Sequence, residues 1–218
     1  MSFIKAFAVA AALLASGAAN AAITVYTDQA SFLAAVSAPG VDGYDGFNIF
    51  GTTNSPITRS AGSYGYTASA GNGFFGAGTV GDPWLSTTTA TDPIVLNAFT
   101  GGVRGVGGLF FGSDIGGSFQ AGDVVLNATD ASGTVTRTIL NATTSSFLGF
   151  VTDGAFTSIS IASVQPGPGS FLWPTIENLT LAGAAVAPGV PEPASWALMI
   201  GGFGLVGAAM RRKALAAA

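Results

Sequence analysis

The feature that most constrains the fold is a series of short runs of β-branched and aromatic residues between Ile23 and Leu181. Glycine, proline, asparagine and aspartate, which favour turns, separate these runs. The clearest pair is Asp123–Thr129 and Thr134–Leu140, where apolar and polar residues alternate on either side of an Asp-Ala-Ser-Gly turn. Such alternation is typical of antiparallel strands with one buried face. About ten runs at regular spacing predict an all-β fold, an antiparallel β-sandwich of the jelly-roll type.

The predicted strands leave room for one short helix in the same domain. Thr27 or Asp28 is expected to cap this helix, which continues through Val36. The sequence further predicts a strand within Val41–Phe50 and a polar loop over Gly51–Gly62.

The first 21 residues form a segment of a different kind. Lys5 is followed by an apolar Ala/Val/Leu region that runs through Ala15, and Ala19-Asn20-Ala21 fits an A-x-A cleavage site. A short basic region, an apolar region and small residues at the cleavage point are typical of a secretory signal peptide. We therefore expect an N-terminal signal helix that is removed after Ala21.

The C-terminus carries a second apolar segment. Pro191-Glu192-Pro193 is followed by the uncharged run Ala194–Met210 and then by Arg211, Arg212 and Lys213. A helix of this length reaches ~25 Å, a short span of a hydrocarbon core of ~30 Å. The basic triplet suits a cytoplasmic flank that stops transfer. These residues predict a C-terminal transmembrane helix.

This tail resembles the PEP-CTERM sorting signal of proteins exported by Gram-negative bacteria. The resemblance rests on the Pro191-Glu192-Pro193 triplet, the Ala194–Met199 opening, the glycine-rich Gly201–Gly207 core and the basic Arg211–Lys213 end. It implies that exosortase, a membrane-embedded cysteine transpeptidase, cuts near the triplet. It also implies a precursor anchored in the inner membrane, a mature protein at the cell surface or outside the cell, and a partner in exopolysaccharide.

These observations divide the chain into five segments. We expect a signal peptide at 1–21, a β-sandwich domain at 22–182 and an Ala/Pro/Gly linker at 183–190. A sorting and transmembrane segment then covers 191–213, and a short tail covers 214–218.

The charge of the central part limits its partners. Residues 22–190 hold 10 of the 11 acidic residues and only 3 of the 7 basic residues, none of them lysine, which gives a net charge of −7. Binding to nucleic acid needs clustered lysine or arginine to neutralise phosphates. We therefore expect no nucleic-acid partner.

The residue types that are missing limit the chemistry. Residues 22–190 contain no histidine, cysteine or lysine, which leaves no Ser-His or Cys nucleophile, no Schiff base and no ordinary zinc site. We predict no catalytic residue and no cofactor, and hence a protein that is not an enzyme. The enzymatic alternative is an Asp-dependent glycosidase that uses Asp42 with Asp45, or Asp114 with Asp123.

Two kinds of binding site remain open. Asp42, Asp45 and Asn48 offer oxygen ligands for calcium, although their spacing differs from that of an EF-hand. Large aromatic residues could bind sugars, although in a sandwich such residues usually fill the core; they are Tyr44, Tyr64, Tyr66, Trp84 and Trp173. An ice-binding surface at Thr87-Thr88-Thr89 is a further alternative, but these threonines lack a regular spacing.

From these observations we expect an exported, non-enzymatic protein of the cell envelope or extracellular matrix. The alternative is a carbohydrate-binding module, calcium-dependent or not, associated with exopolysaccharide.

Overall fold

The computed structural model describes residues 22–185 and 198–203. The first range forms two antiparallel sheets that pack face to face, together with one short helix. The predicted all-β sandwich is therefore confirmed, and its assignment to the jelly-roll type stays a prediction.

Sheet A contains nine of the strands. They are β1 (Thr24–Tyr26), β2 (Val36–Asp42), β3 (Thr52–Thr53), β6 (Phe74–Thr79), β7 (Asp82–Thr87), β9 (Gly105–Ser113), β10 (Phe119–Gln120), β13 (Phe147–Val151) and β15 (Trp173–Ala184). Its order is β1-β13-β9-β15-β7-β6-β3, with β10 paired to β9 and β2 paired to β15.

Sheet B contains the other six strands. They are β4 (Ile57–Ala61), β5 (Tyr64–Ser69), β8 (Ile94–Thr100), β11 (Gly122–Asp130), β12 (Gly133–Ala142) and β14 (Phe156–Ser163). Its order is β12-β11-β14-β8-β5-β4. The hairpin of β11 and β12 confirms the clearest prediction from the sequence, with Thr129 opposite Thr134 and Val125 opposite Thr138.

The core lies between the two sheets. Alternate residues of each strand point inward, and fully buried examples from sheets A and B are Phe110, Ile176, Leu96, Leu126 and Ile159. Side chains at the positions between them point to the outer face of each sheet. This alternation decides which residues can form a surface site.

Helix α1 (Gln29–Ala34) covers one end of the outer face of sheet A. The side chain of Asp28 caps it by accepting hydrogen bonds from the backbone N–H groups of Ala30 and Ser31, each at 3.1 Å. Phe32 is fully buried. It packs so closely on the sheet that a Cβ at Gly149 would lie 2.5 Å from its ring.

Several predicted boundaries differ from the structure. Helix α1 ends two residues before Val36, which begins β2, and β15 continues to Ala184, past the predicted domain boundary. The predicted strand within Val41–Phe50 is mostly turn. The predicted Gly51–Gly62 loop contains β3 and β4. The sequence resembled a loop because β4 is an edge strand, and one of its faces is polar and turned to solvent.

Some predictions fall on residues that the structure does not describe. These are the signal peptide with its Ala19 and Ala21 cleavage site, the Pro191-Glu192-Pro193 triplet, the Arg211-Arg212-Lys213 end and tail 214–218. Of the predicted transmembrane run, residues 198–203 are described, and they are helical and exposed. Within the described ranges no helix has the length and hydropathy needed to span a membrane.

Candidate functional site

Four of the five aromatic residues singled out above are buried. The exposed fractions of Tyr44, Tyr64, Tyr66 and Trp84 are 0%, 5%, 1% and 8%. Trp173 differs, because it is half-buried at the start of β15. It is therefore the aromatic residue of this set that a ligand can reach.

Trp173 lies in a cleft on the outer face of sheet A, which we call the Trp173 cleft. The cleft consists of two adjoining hollows of about 190 and 280 Å³ that share Thr88, Ile115 and Trp173. Its other lining residues are Thr52, Phe75, Ser86, Thr87, Thr89, Ala90, Thr91, Asp114 and Phe171. Each hollow is smaller than the ~300–1,000 Å³ of a typical small-molecule pocket, so the cleft suits small groups of a longer ligand.

The floor of the cleft rests on buried hydroxyl groups. Ser86 lies opposite Thr175 across β7 and β15, and Leu85 and Ile176 point from the same strands into the core. The hydroxyl of Thr175 donates to Ser113 Oγ at 2.9 Å, and that of Ser86 donates to the Pro174 carbonyl at 3.1 Å. This network fixes Ser86 at the base of the cleft.

The walls of the cleft are aromatic and apolar. Phe171 and Trp173 meet edge to face with 6.1 Å between ring centroids. Phe171 is 53% exposed and Ile115 is 79% exposed. Exposed aromatic and apolar groups beside hydroxyls are an arrangement that ligand sites use.

One carboxylate stands at the rim. Asp114 follows β9 and begins a tight turn in which its Oδ1 accepts hydrogen bonds from the backbone N–H groups of Gly116 and Ser118, both at 2.9 Å. Among the described residues its Oδ2 has no hydrogen-bond partner. The turn therefore holds the carboxylate in place and leaves one oxygen for a ligand.

Sequence reasoning singled out Asp114 and Trp173 but did not bring them together. Phe75, Ile115 and Phe171 were missed as site residues, because Phe75 lies in β6 whereas Ile115 and Phe171 lie on separate loops, and the folded chain brings the three into one cleft. The one available signal was an apolar residue placed among turn residues, as at Asp114-Ile115-Gly116.

The predicted calcium ligand Asp42 is fully used within the protein. Arg59 donates to both of its oxygens at 2.6 and 2.7 Å, the Tyr66 hydroxyl donates to Oδ2 at 2.7 Å, and the Tyr44 backbone N–H donates to Oδ1 at 2.9 Å. Burial raises the pKa of Asp42, but these hydrogen bonds outweigh it and hold the pKa below its ordinary value. A carboxylate accepts about four hydrogen bonds, so Asp42 has no acceptor site left for a cation.

The other predicted calcium ligands do not join Asp42 in a metal site. Asp45 and Asn48 are exposed, and the Asn48 side chain lies against Gly51. Within residues 22–185 and 198–203, no group of three or more acidic side chains is placed to hold a metal ion.

The second predicted carboxylate pair is not brought together. Asp114 lines the Trp173 cleft, whereas Asp123 lines a separate hollow beside Gln165 and accepts a hydrogen bond from the Asn141 backbone N–H at 2.8 Å.

Comparison with protein-family models identifies the C-terminal segment. Residues 189–213 match the model of the PEP-CTERM protein-sorting motif. The chain carries a PEP-CTERM sorting motif. The matched range contains both the Pro191-Glu192-Pro193 triplet and the Arg211-Arg212-Lys213 end, and the resemblance stated from the sequence is confirmed. Comparison with curated proteins and with solved structures finds no match.

The PEP-CTERM motif is a sorting signal. A motif of this kind implies an exported protein that is anchored as a precursor and processed by exosortase. The motif lies outside the β-sandwich, so the Trp173 cleft carries the argument for what the exported domain does.

A different acidic pair lies on the outer face of sheet A, away from the residues that line the cleft. Burial raises the pKa of Glu177, and the nearby Asp82 raises it further, to about 7. The Asn178 amide donates to Glu177 Oε1 at 2.8 Å. Asp82 and Glu177 are almost a hundred positions apart in the sequence, and sequence reasoning did not pair them.

Proposed function

We propose that the chain is an exported, non-enzymatic protein of the cell envelope or extracellular matrix whose β-sandwich binds polysaccharide at the Trp173 cleft. The sorting motif supports export and processing by exosortase. The role in the matrix follows from the resemblance, because proteins with this tail commonly accompany exopolysaccharide production.

The observation that carries this proposal is the composition of the cleft. A sugar ring has an apolar face of C–H groups and a rim of hydroxyls. The rings of Phe171 and Trp173 offer the matching apolar surface. The Thr88 hydroxyl, which donates to the Asn72 carbonyl at 2.8 Å, can still accept a hydrogen bond, and Asp114 Oδ2 offers a second acceptor for sugar hydroxyls.

The open shape of the cleft also favours a polymer. The two hollows adjoin along Thr88, Ile115 and Trp173, so neighbouring sugar units of one chain can occupy them together. Weak contacts with successive units add up along a polymer.

A binding role without catalysis agrees with the positions of the carboxylates. Glycoside hydrolysis generally needs two carboxyl groups roughly 5–9.5 Å apart across the scissile bond. The Trp173 cleft contains one carboxylate, Asp114, and its predicted partner Asp123 lines another hollow. The acidic pair of Asp82 and Glu177 is not among the residues that line the cleft.

Binding of the full-length protein in detergent to immobilised polysaccharides tests the proposal. The wild type should bind at least one neutral or amino-sugar polymer, and F171A should weaken that binding several-fold. L140A is the control, because Leu140 is 70% exposed on sheet B and does not line the cleft. Equal weakening by F171A and L140A, or no binding to any polymer, would contradict the proposal.

A further inference from the structure

The Trp173 cleft carries a negative charge with no positive charge beside it. Asp114 is the one ionisable residue among those that line the two hollows. A ligand with a positive charge would pair with it, and a ligand with a negative charge would be repelled.

The arginines of the domain are all engaged elsewhere. Arg59 holds Asp42, Arg104 donates to the Asp153 carbonyl at 2.9 Å, and Arg137 donates to the Thr136 carbonyl at 2.8 Å. None of the three lines the cleft. Together with the net charge of −7 for residues 22–190, this disfavours polymers of uronic acids and other anionic sugars.

The position of Asp114 suits a cationic partner. Two backbone N–H groups fix Oδ1, and Oδ2 is free of hydrogen bonds within the described part of the chain. A carboxylate that is already held in place loses little conformational freedom on binding. A hydrogen bond between two charged groups is also stronger than one between neutral groups.

We propose that the ligand is a polysaccharide with free amino groups, that is, one with unacetylated hexosamine units. The sugar ring packs on Trp173, and its ammonium group donates to Asp114 Oδ2. This inference rests on the proposed function, and it names the class of polysaccharide that the same cleft selects.

The test compares two hexamers of glucosamine that differ only in N-acetylation. Full-length protein should bind the unacetylated hexamer more tightly than the N-acetylated one, on the order of tenfold. D114N should remove most of this preference and leave only the part that comes from the overall negative charge of the domain. Asparagine keeps the Oδ1 acceptor, so the turn through Gly116 and Ser118 is preserved while the charge is lost.

D123N is the matched control. It removes the same charge from the same protein, but Asp123 lies at a separate hollow, so the preference for the unacetylated hexamer should remain. The melting temperatures of both variants should stay close to that of the wild type, which shows that D114N acts through its charge.

The outcomes separate the two proposals. Equal affinity of the wild type for the two hexamers, or an equal preference in D114N and D123N, would overturn the amino-sugar inference and leave polysaccharide binding standing. Failure to bind either hexamer or any polymer would overturn the proposed function itself.

Discussion

The ion pair between Arg59 and Asp42 provides a sharp test of how the sandwich is held together. Asp42 is 5% exposed and Arg59 is 21% exposed, and Arg59 donates to both carboxylate oxygens. R59Q removes the positive charge and leaves a buried carboxylate without a cationic partner, while the hydrogen bonds from Tyr66 and the Tyr44 backbone remain. Removal of one partner from a buried pair costs about 3–5 kcal/mol. We expect about 3 kcal/mol, because Arg59 is partly in solvent.

Urea unfolding followed by circular dichroism measures this loss in the free energy of unfolding. Thermal unfolding measures the same loss as a lower melting temperature. For a domain of this size, about 3 kcal/mol lowers the melting temperature by roughly 6–12 °C. The double variant D42N/R59Q should lose less than the sum of the two single variants, because it leaves no unpaired buried charge.

The same pair predicts a dependence on pH. The pKa of Asp42 lies below its ordinary value in the folded protein, so its contribution to stability is present above the ordinary pKa and is lost as the pH falls through the lowered one. R59Q raises the pKa of Asp42 and should make acid unfolding begin at a higher pH. Strict additivity of the two substitutions, together with an unchanged acid transition, would refute this reasoning.

Three further predictions concern other parts of the chain. G149A should lower the free energy of unfolding by about 1–3 kcal/mol, because the new Cβ would lie 2.5 Å from the Phe32 ring. G81A, with open space around its Cβ, is the control. Equal urea midpoints for the two variants would contradict the close packing. The pKa of Glu177 is raised to about 7, so its ionisation opposes folding. The free energy of unfolding should therefore fall by about 1 kcal/mol, after allowance for solvent screening, as the pH rises from 5 to 8. E177Q should remove this fall, and a fall that persists in E177Q would exclude Glu177 as its source. Substitution of Glu192 or Pro193 should block processing by exosortase without a change in the melting temperature, and normal shortening on gels of both variants would reduce the triplet to a spacer.

The sequence was a good guide wherever one strand carried its own signal. The alternation in Asp123–Thr129 and Thr134–Leu140 predicted the β11–β12 hairpin, because a strand with one buried face must alternate. Asp28 was one of two predicted caps of the helix, since its side chain can reach the backbone of the first turn. Strand β4 was missed because an edge strand with a solvent-facing side can consist largely of polar residues.

Properties that depend on distant partners could not be predicted from the pattern. Asp42 was a candidate calcium ligand, and its partner Arg59 becomes visible only when β2 and β4 come together. Trp173 was one of five aromatic candidates, and burial of the other four separates it from them. The cleft itself needs loops from three regions, which meet only in the folded chain.

Tryptophan fluorescence during titration with an oligosaccharide tests the central claim most directly. The chain has three tryptophans. Trp84 is 8% exposed and Trp196 belongs to the sorting segment, whereas Trp173 lines the cleft, so a bound sugar should shift the emission of Trp173 to shorter wavelength. The account predicts a saturable shift for the wild type, together with loss of both the shift and most of the affinity in W173A. Full affinity of W173A for the same oligosaccharide would contradict the assignment of the binding site to this cleft.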